Sequence, residues 1–408
     1  MKFSEKLKVI SSVIKGTHQR SSNDFRNGSF GRFGGMSESG ISVSEESSLK
    51  FSAVWACARL LSELPASLPI DIIEEKGRTR TPIHDHHVMQ VLSYPNGYMN
   101  RFTYHELMNA YLQLWGNGIA IINNGGKGIA ESLTPIHPSS AKPTLDNGRV
   151  FYKIDDKQTG IKGTFFSEEV LHYKMFSTDG IWGKSPIQVA KDNIGLGLQA
   201  EKFGATFFRK GGNIKAVIES EGHLDDKQFK DWKKRWDTYY AGEQGNHETP
   251  VLEYGLKYKA LGIPPEQAQF VATRQFQLQE IARIFNVPPH MLADLSRATF
   301  SNIEHSDLQF VKYTLRPILR RQELELEQKL LLPKERSTIK IRFNIDGLLR
   351  GDLTSLTTHI HQMVIDGVLT PNEGRALLNK DPLPNGDVAY QPANITGNSN
   401  TQNNASSK

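Results

Sequence analysis

The chain has 408 residues, of which 38% are hydrophobic and 23% charged, with 49 basic against 44 acidic side chains and a formal net charge of +5. That length supports a substantial core and more than one domain, and a mean hydropathy of −0.45 excludes both a membrane protein and a wholly disordered one. The small basic excess is compatible with a nucleic-acid partner but decides nothing alone.

At the N-terminus Phe3, Leu7, Ile10 and Ile14 share one helical face with Lys2, Lys6, Lys8 and Lys15 between them. Charges interrupt this stretch too often for a signal peptide, and no run approaches the ~18 apolar residues of a membrane span. Residues 16–50 are rich in Ser, Gly and Asn, so residues 1–50 read as a flexible arm. Order begins with a helix from Phe51 to Leu64, stopped by Pro65 and followed by a strand over Leu68 to Glu74. Cys57, the single cysteine, lies in its apolar run and reads as a small buried hydrophobe; no intramolecular disulfide exists and a reducing cytoplasm fits. Thr103 and Glu106 predict a capping box opening the next helix, which carries Leu107, Tyr111, Leu112 and Leu114. Ile119 to Ile122 and the Gly125-Gly126 turn predict a hairpin, and Val150 to Ile154 and Val170 to Tyr173 are further strands. Residues 51–184 are thus α+β.

Ser185-Pro186 pairs a capping hydroxyl with proline at the first helical position. The helix it opens is predicted to reach Arg209, and its interior Gly195, Gly197 and Gly204 predict close approach of a neighbouring backbone. Gly211-Gly212 ends it. A small α/β insertion follows: a strand at Ala216 to Ile218, a helix from Asp225 to Tyr240, and strands at Val251 to Tyr254 and Leu256 to Leu261. Pro264-Pro265-Glu266 opens a second long helix to Phe285. After a loop over Val287 to Thr299, a capping box of Ser301 and Glu304 opens a helix to Leu331, predicted to kink at Pro317, which has no donor for the Tyr313 carbonyl. A strand at Ile339 to Phe343 precedes a helical unit whose last helix has Thr370 as N-cap, Pro371 first and Glu373 third. Residues 389–408 read as a disordered tail.

Motifs of catalysis are missing. Gly125-Gly126-Lys127-Gly128 has glycine where a P-loop needs Ser or Thr and is a hairpin turn. His84, His86 and His87, like His359 and His361, lack helical ligand spacing and read as surface histidines. Cys57 has no histidine partner and no G-x-S-x-G elbow occurs, so no catalytic residue, cofactor or metal is predicted. The insertion helix interleaves Lys227, Lys230, Lys233, Lys234 and Arg235 with Trp232 and Trp236, a pattern that can bind nucleic acid. Asp225, Asp226, Asp231 and Asp237 nearly neutralise it, so the tryptophans read as a packing or subunit-contact stripe.

Gly183-Lys184-Ser185-Pro186 leads into Ile194-Gly195-Leu196; the block ALGIPPEQAQFVATRQFQLQEIARIFNVPPHML follows from Ala260 to Leu292. Then come Ala298-Thr299-Phe300-Ser301-Asn302-Ile303-Glu304, FNIDGLLRGD from Phe343 to Asp352, and Leu369-Thr370-Pro371-Asn372-Glu373. In this order the set resembles the portal proteins of tailed bacteriophages, in the short-chain branch of siphophages and prophages, over about residues 51–387. The resemblance implies an α+β portal fold: a wing (51–184 and 303–346), two stem helices (185–212 and 265–286), a clip (213–264), a tunnel loop (287–302) and a helical crown (347–388). It implies a homo-oligomeric, dodecameric ring at a capsid vertex, assembled in the bacterial cytoplasm and retained in the virion. Non-specific double-stranded DNA passes through it, and the terminase large subunit, a head-tail adaptor and the major capsid protein dock on it, with no membrane involved.

On that resemblance His290, Asp294, Arg297 and Thr299 are the tunnel-loop candidates facing DNA. Gln269, Gln275, Gln279, Arg274 and Arg283 are candidates to line the stem, with the two arginines balanced by Glu266 and Glu280. Trp232, Trp236, Lys233 and Lys234 are the clip candidates for subunit or terminase contact. Neutral polar walls suit sliding, because each Lys or Arg that grips a phosphate adds counterion-release affinity. A nuclease or translocase of the packaging machinery is the alternative, disfavoured by the missing P-loop and carboxylate cluster. A sequence-specific regulator lacks a helix-turn-helix with a basic face.

Overall fold

The computed structural model describes residues 35–390 except 39, 78, 126–127, 210–215, 221–224, 240–255, 261–265, 296–299, 346–347, 349–352 and 379. Residues 35–50 correct the last part of the reading of residues 1–50 as a flexible arm; residues 1–34 lie outside the described residues. β1 (Gly35–Met36) pairs with β2 (Ser42–Val43), and α1 (Glu45–Ser48) is closed by a reciprocal capping box between Ser44 and Ser47. Val43, Glu45 and Ser48 are buried. α2 (Ser52–Ser67) runs a turn past its predicted stop and keeps Pro65 inside. Proline removes only its own N–H, the donor for the Leu61 carbonyl; at the end of the helix the Leu68 N–H turns to the Pro65 carbonyl at 3.3 Å, and the Leu64 carbonyl accepts from the Ser67 hydroxyl at 2.7 Å.

β3 (Ile70–Lys76) pairs antiparallel with β4 (Thr79–Pro82), and α3 (His87–Ser93) follows. α4 (Arg101–Trp115) begins before its predicted Thr103 cap, because Asn100 Oδ1 accepts the Thr103 N–H at 2.9 Å. β5 (Asn117–Asn124) and β6 (Ala130–Ile136) form the predicted hairpin. β7 (Ala141–Asp146), β8 (Arg149–Asp155) and β9 (Lys162–Phe166) make an antiparallel meander, and β10 (Val170–Lys174) returns to pair with β5. β5 is central in its sheet and buried from Asn117 to Ile122, which is why it reads as a continuous apolar run.

The helix opened by Ser185 is two helices. α5 (Pro186–Val189) stops at Ala190, at φ −99° and ψ 15°, and α6 (Lys191–Arg209) continues. At Gly197 a Cβ would lie 2.7 Å from the Phe51 ring, so a side chain and not a backbone occupies that space. β11 (Ala216–Ser220) pairs with β12 (Leu256–Ala260) across α7 (Asp226–Tyr239); the strand predicted at 251–254 lies outside the described residues. α8 (Glu266–Phe285) is the second long helix.

α9 (Phe300–Phe310) already contains Ser301, so Ser301 is not its N-cap. A π turn over Val311–Leu315 joins it to α10 (Arg316–Leu330). The Arg316 N–H reaches back to the Val311 carbonyl: the widened turn sits where Pro317 cannot donate, in place of a simple kink. β13 (Ile339–Phe343) matches its predicted bounds; α11 (Leu353–Ile365) and α12 (Pro371–Leu377) end the described fold, the latter with the predicted Thr370–Glu373 box.

The chain divides into two compact units: residues 1–59, 113–116 and 176–292, and residues 60–112, 117–175 and 293–408. In the second unit Tyr104, Met108, Leu112, Ile119, Leu133, Ile136 and Leu171 are fully buried. There α10 seals two sheet edges. Glu323 and Glu327 accept the Phe343 and Ile341 N–H groups of β13 at 3.0 and 3.2 Å, and Glu325 accepts the His172 N–H of β10 at 3.2 Å. Helix residues four apart rise about 6 Å, close to the spacing of alternate strand residues, so one helix can satisfy successive edge donors.

Candidate channel surface

In the first unit α6 and α8 pack together. Arg274 of α8 reaches Glu201 of α6 at 3.5 Å, a partner across the helix pair that was not foreseen, and Arg283 pairs with Glu280 one turn away. Both candidate stem arginines are therefore neutralised locally. Gln275 is exposed and Gln279 half-buried, whereas Gln277 is buried. The side chain of Gln269 lies outside the described set.

Exposed apolar side chains on the same helices were missed by the sequence reading: Leu196, Phe203 and Phe276 are 47%, 54% and 56% exposed. Their apolar character was visible; which of the apolar positions face outward was not.

α8 ends in a Schellman motif. Asn286 takes φ +53°, its N–H bonds the Arg283 carbonyl, and the Val287 N–H bonds the Ala282 carbonyl at 2.8 Å. With Ile281, Phe285 and Val287 buried, this fixes where the following loop starts. His290 sits half-buried on the 3-10 turn Pro289–Leu292, and Asp294 is half-buried beyond it. Arg297 and Thr299 lie outside the described residues.

In the insertion, Asp225 caps α7 by accepting the Gln228 N–H at 2.7 Å while Gln228 Oε1 accepts the Asp225 N–H. Lys233 and Lys234 are exposed and Trp232 half-buried; the Trp236 side chain is not described. Cys57 is fully buried and its thiol is pushed up to about 12 by burial, which leaves it inert. No described helix is long and apolar enough to cross a membrane.

α6 and α8 thus bracket the β11–β12 insertion in sequence, and α8 leads into the turn at Pro289–Leu292. The sequence model of the phage portal protein family matches residues 52–379. The chain belongs to the phage portal protein family. The portal protein of Enterobacteria phage HK97 is 31% identical over 86% of this chain and 84% of that protein. The probable portal protein of Streptomyces phage phiC31 is 32% identical over 86% of this chain and 79% of its own length. In structure, a chain from the neck of an empty gene transfer agent particle superposes with a TM-score of 0.59 at 22% identity, covering 83% of this chain and 94% of that one. The role of this portal chain is that of a structural channel subunit at a capsid vertex.

The portal signature Gly183-Lys184-Ser185-Pro186 is structural. Ser185 Oγ accepts the Gln188 N–H at 3.2 Å and donates to the Leu114 carbonyl at 2.6 Å. Buried Glu45 accepts from Gln188 Nε2 at 3.0 Å, and its Oε1 lies 3.3 Å from Ser185 Oγ. Gly116, at φ +74°, lets the Lys184 carbonyl pass where a Cβ would stand only 2.3 Å away.

His84, His359 and His361 are exposed, as read. His86 is not a surface histidine: its side chain is 9% exposed and its Nδ1 caps α3 by accepting the Val88 N–H.

Proposed function

We propose that twelve copies of this chain close into a ring whose bore passes double-stranded DNA during packaging and ejection, without catalysis or cofactor of its own. The observation that carries this reading is the α6–α8 pair, where Arg274 and Arg283 are each matched by a carboxylate and Leu196, Phe203, Gln275 and Phe276 stand exposed beside them. Paired arginines give a polyanion little to grip, and the exposed Phe203 and Phe276 offer a neighbouring copy an apolar contact. The neck of the related gene transfer agent particle has been described with C6 and with C12 symmetry, which supports the ring.

In this reading residues 185–212 and 265–286 are the stem, 213–264 the clip, 287–302 the tunnel loop, 51–184 and 303–346 the wing, and 347–388 the crown. His290, Asp294, Arg297 and Thr299 face the DNA. Trp232, Trp236, Lys233 and Lys234 of the clip meet a neighbouring subunit or the terminase large subunit; a head-tail adaptor and the major capsid protein dock elsewhere on the ring. Assembly occurs in the bacterial cytoplasm and the ring stays in the virion. Electron microscopy of the purified chain and of infected-cell extracts tests this: rings with a central hole are expected. Compact monomers at high concentration, with no rings in extracts, would overturn it.

A further inference from the structure

Within the second unit, residues just before and at the start of α3 meet the turn between α10 and β13. His86 is the N-cap, with extended backbone at φ −130° and ψ 139°, and His87 is the first helical residue. That change of conformation between neighbours brings both rings to one side, their centroids 4.3 Å apart and tilted by 32°. His86 Nδ1 is used in the cap, leaving Nε2 to point at Glu335, 3.9 Å from Oε2. One donor atom from each of His86, His87 and Glu335 lies within 4.8 Å of the others, and all three residues are half-buried. Glu335 is itself positioned by accepting the Leu332 N–H at 3.0 Å.

We propose that His86, His87 and Glu335 bind one divalent transition-metal ion of the zinc class. Two imidazoles and one carboxylate suit zinc or cobalt and not magnesium or calcium, which take all-oxygen shells. A tetrahedral ion with bonds of about 2.0–2.2 Å needs donors roughly 3.4 Å apart, so the three side chains close by about an ångström on binding, within the reach of rotamer adjustment. Water fills the fourth position, and no chemistry is assigned to it. The ion ties two segments far apart in sequence: His87 Nε2 lies 3.4 Å from the Leu330 carbonyl, 243 positions away. A clasp closing so long a loop acts as a structural staple for this unit.

The test uses the full chain, purified without a histidine tag and stripped with chelator. Zinc is titrated by calorimetry and cobalt by its visible absorption. His86→Asn keeps a good N-cap, His87→Gln keeps a polar ring-sized side chain, and Glu335→Gln keeps the acceptor for Leu332. One ion per chain is expected, with each substitution weakening affinity at least tenfold. At a hundredfold excess over Kd, zinc should raise the melting temperature by about 5 °C in the parent and not in the triple variant, and magnesium should leave both unchanged. If His86→Asn loses helical signal, the His87→Gln/Glu335→Gln pair, which leaves the cap intact, gives the same reading. No binding by the parent, or equal zinc affinity and thermal shift in the substituted chain through others of its 13 histidines, would overturn the site.

Discussion

His172 is fully buried between two partners: its Nδ1 lies 2.8 Å from the Tyr152 hydroxyl and its Nε2 3.0 Å from Asn117 Oδ1. With Nε2 protonated, it donates to the asparagine and accepts from the tyrosine, a neutral arrangement that protonation of Nδ1 would break. Burial, with Lys174 and Lys329 nearby, holds its pKa well below the usual range. His105, also fully buried, is pushed down to about 4 by burial and by Arg101. Both imidazoles stay neutral in the fold while the unfolded chain takes up protons below about pH 6.5. Stability is therefore full above that value and falls as pH is lowered towards 4, by up to about 1.4 kcal/mol per pH unit for each histidine. Urea unfolding measured from pH 7.5 to 5 should show this fall, and His172→Gln, which can keep both hydrogen bonds, should make its slope shallower. A slope unchanged by the substitution would mean that other groups carry the linkage.

Among the elements, α6 and α8 combine paired charges, Arg274 with Glu201 and Arg283 with Glu280, with apolar side chains left in solvent. Phe203 and Phe276 are more than half exposed, so replacing them by serine removes little from the folded monomer, within about 0.5 kcal/mol for surface changes. In the proposed ring these side chains meet the neighbouring copy, so losing two aromatic side chains per interface should weaken every closure. The Phe203→Ser/Phe276→Ser chain should keep its melting temperature while light scattering shows the assembly equilibrium moved towards monomer. Rings formed at parental concentrations would remove these residues from the interface. α10 shows a different use of a helix: its alternate glutamates satisfy strand-edge donors of β13 and β10, and Arg342 and Arg320 balance Glu327 and Glu323.

For the whole molecule, the excess of 49 basic over 44 acidic residues matters less than where charge is left unbalanced. A channel lined by paired charges binds duplex DNA weakly, and weak binding is what sliding needs. Gln275→Lys/Gln279→Lys adds two cations per subunit beside Arg274 and Arg283. Rings of this variant should bind DNA more tightly in low salt, with the log–log salt slope steeper by about 0.9 for each phosphate newly contacted. Packaging by phage carrying it should slow. DNA affinity and salt slope identical to the parent would show that these positions do not meet the bore.

What the amino-acid order determined by itself was local and short-ranged. Ser185-Pro186 and Thr370-Pro371 start helices because the capping hydroxyl and the proline act within three residues of one another. The alternation of Ile339, Ile341 and Phe343 defines β13 because strand period and burial coincide. The ordered series of motifs was enough to indicate the portal family. Tertiary structure alone decided what depends on distant partners. Residues 35–50 looked too polar to order, yet Glu45 is fixed by Ser185 and Gln188, about 140 positions on. His86 looked like a surface histidine until Glu335 came alongside it. Gly197 indicated crowding without showing that the Phe51 ring causes it. Leu196, Phe203 and Phe276 were plainly apolar, but only packing decides which apolar residues are buried and which stay exposed.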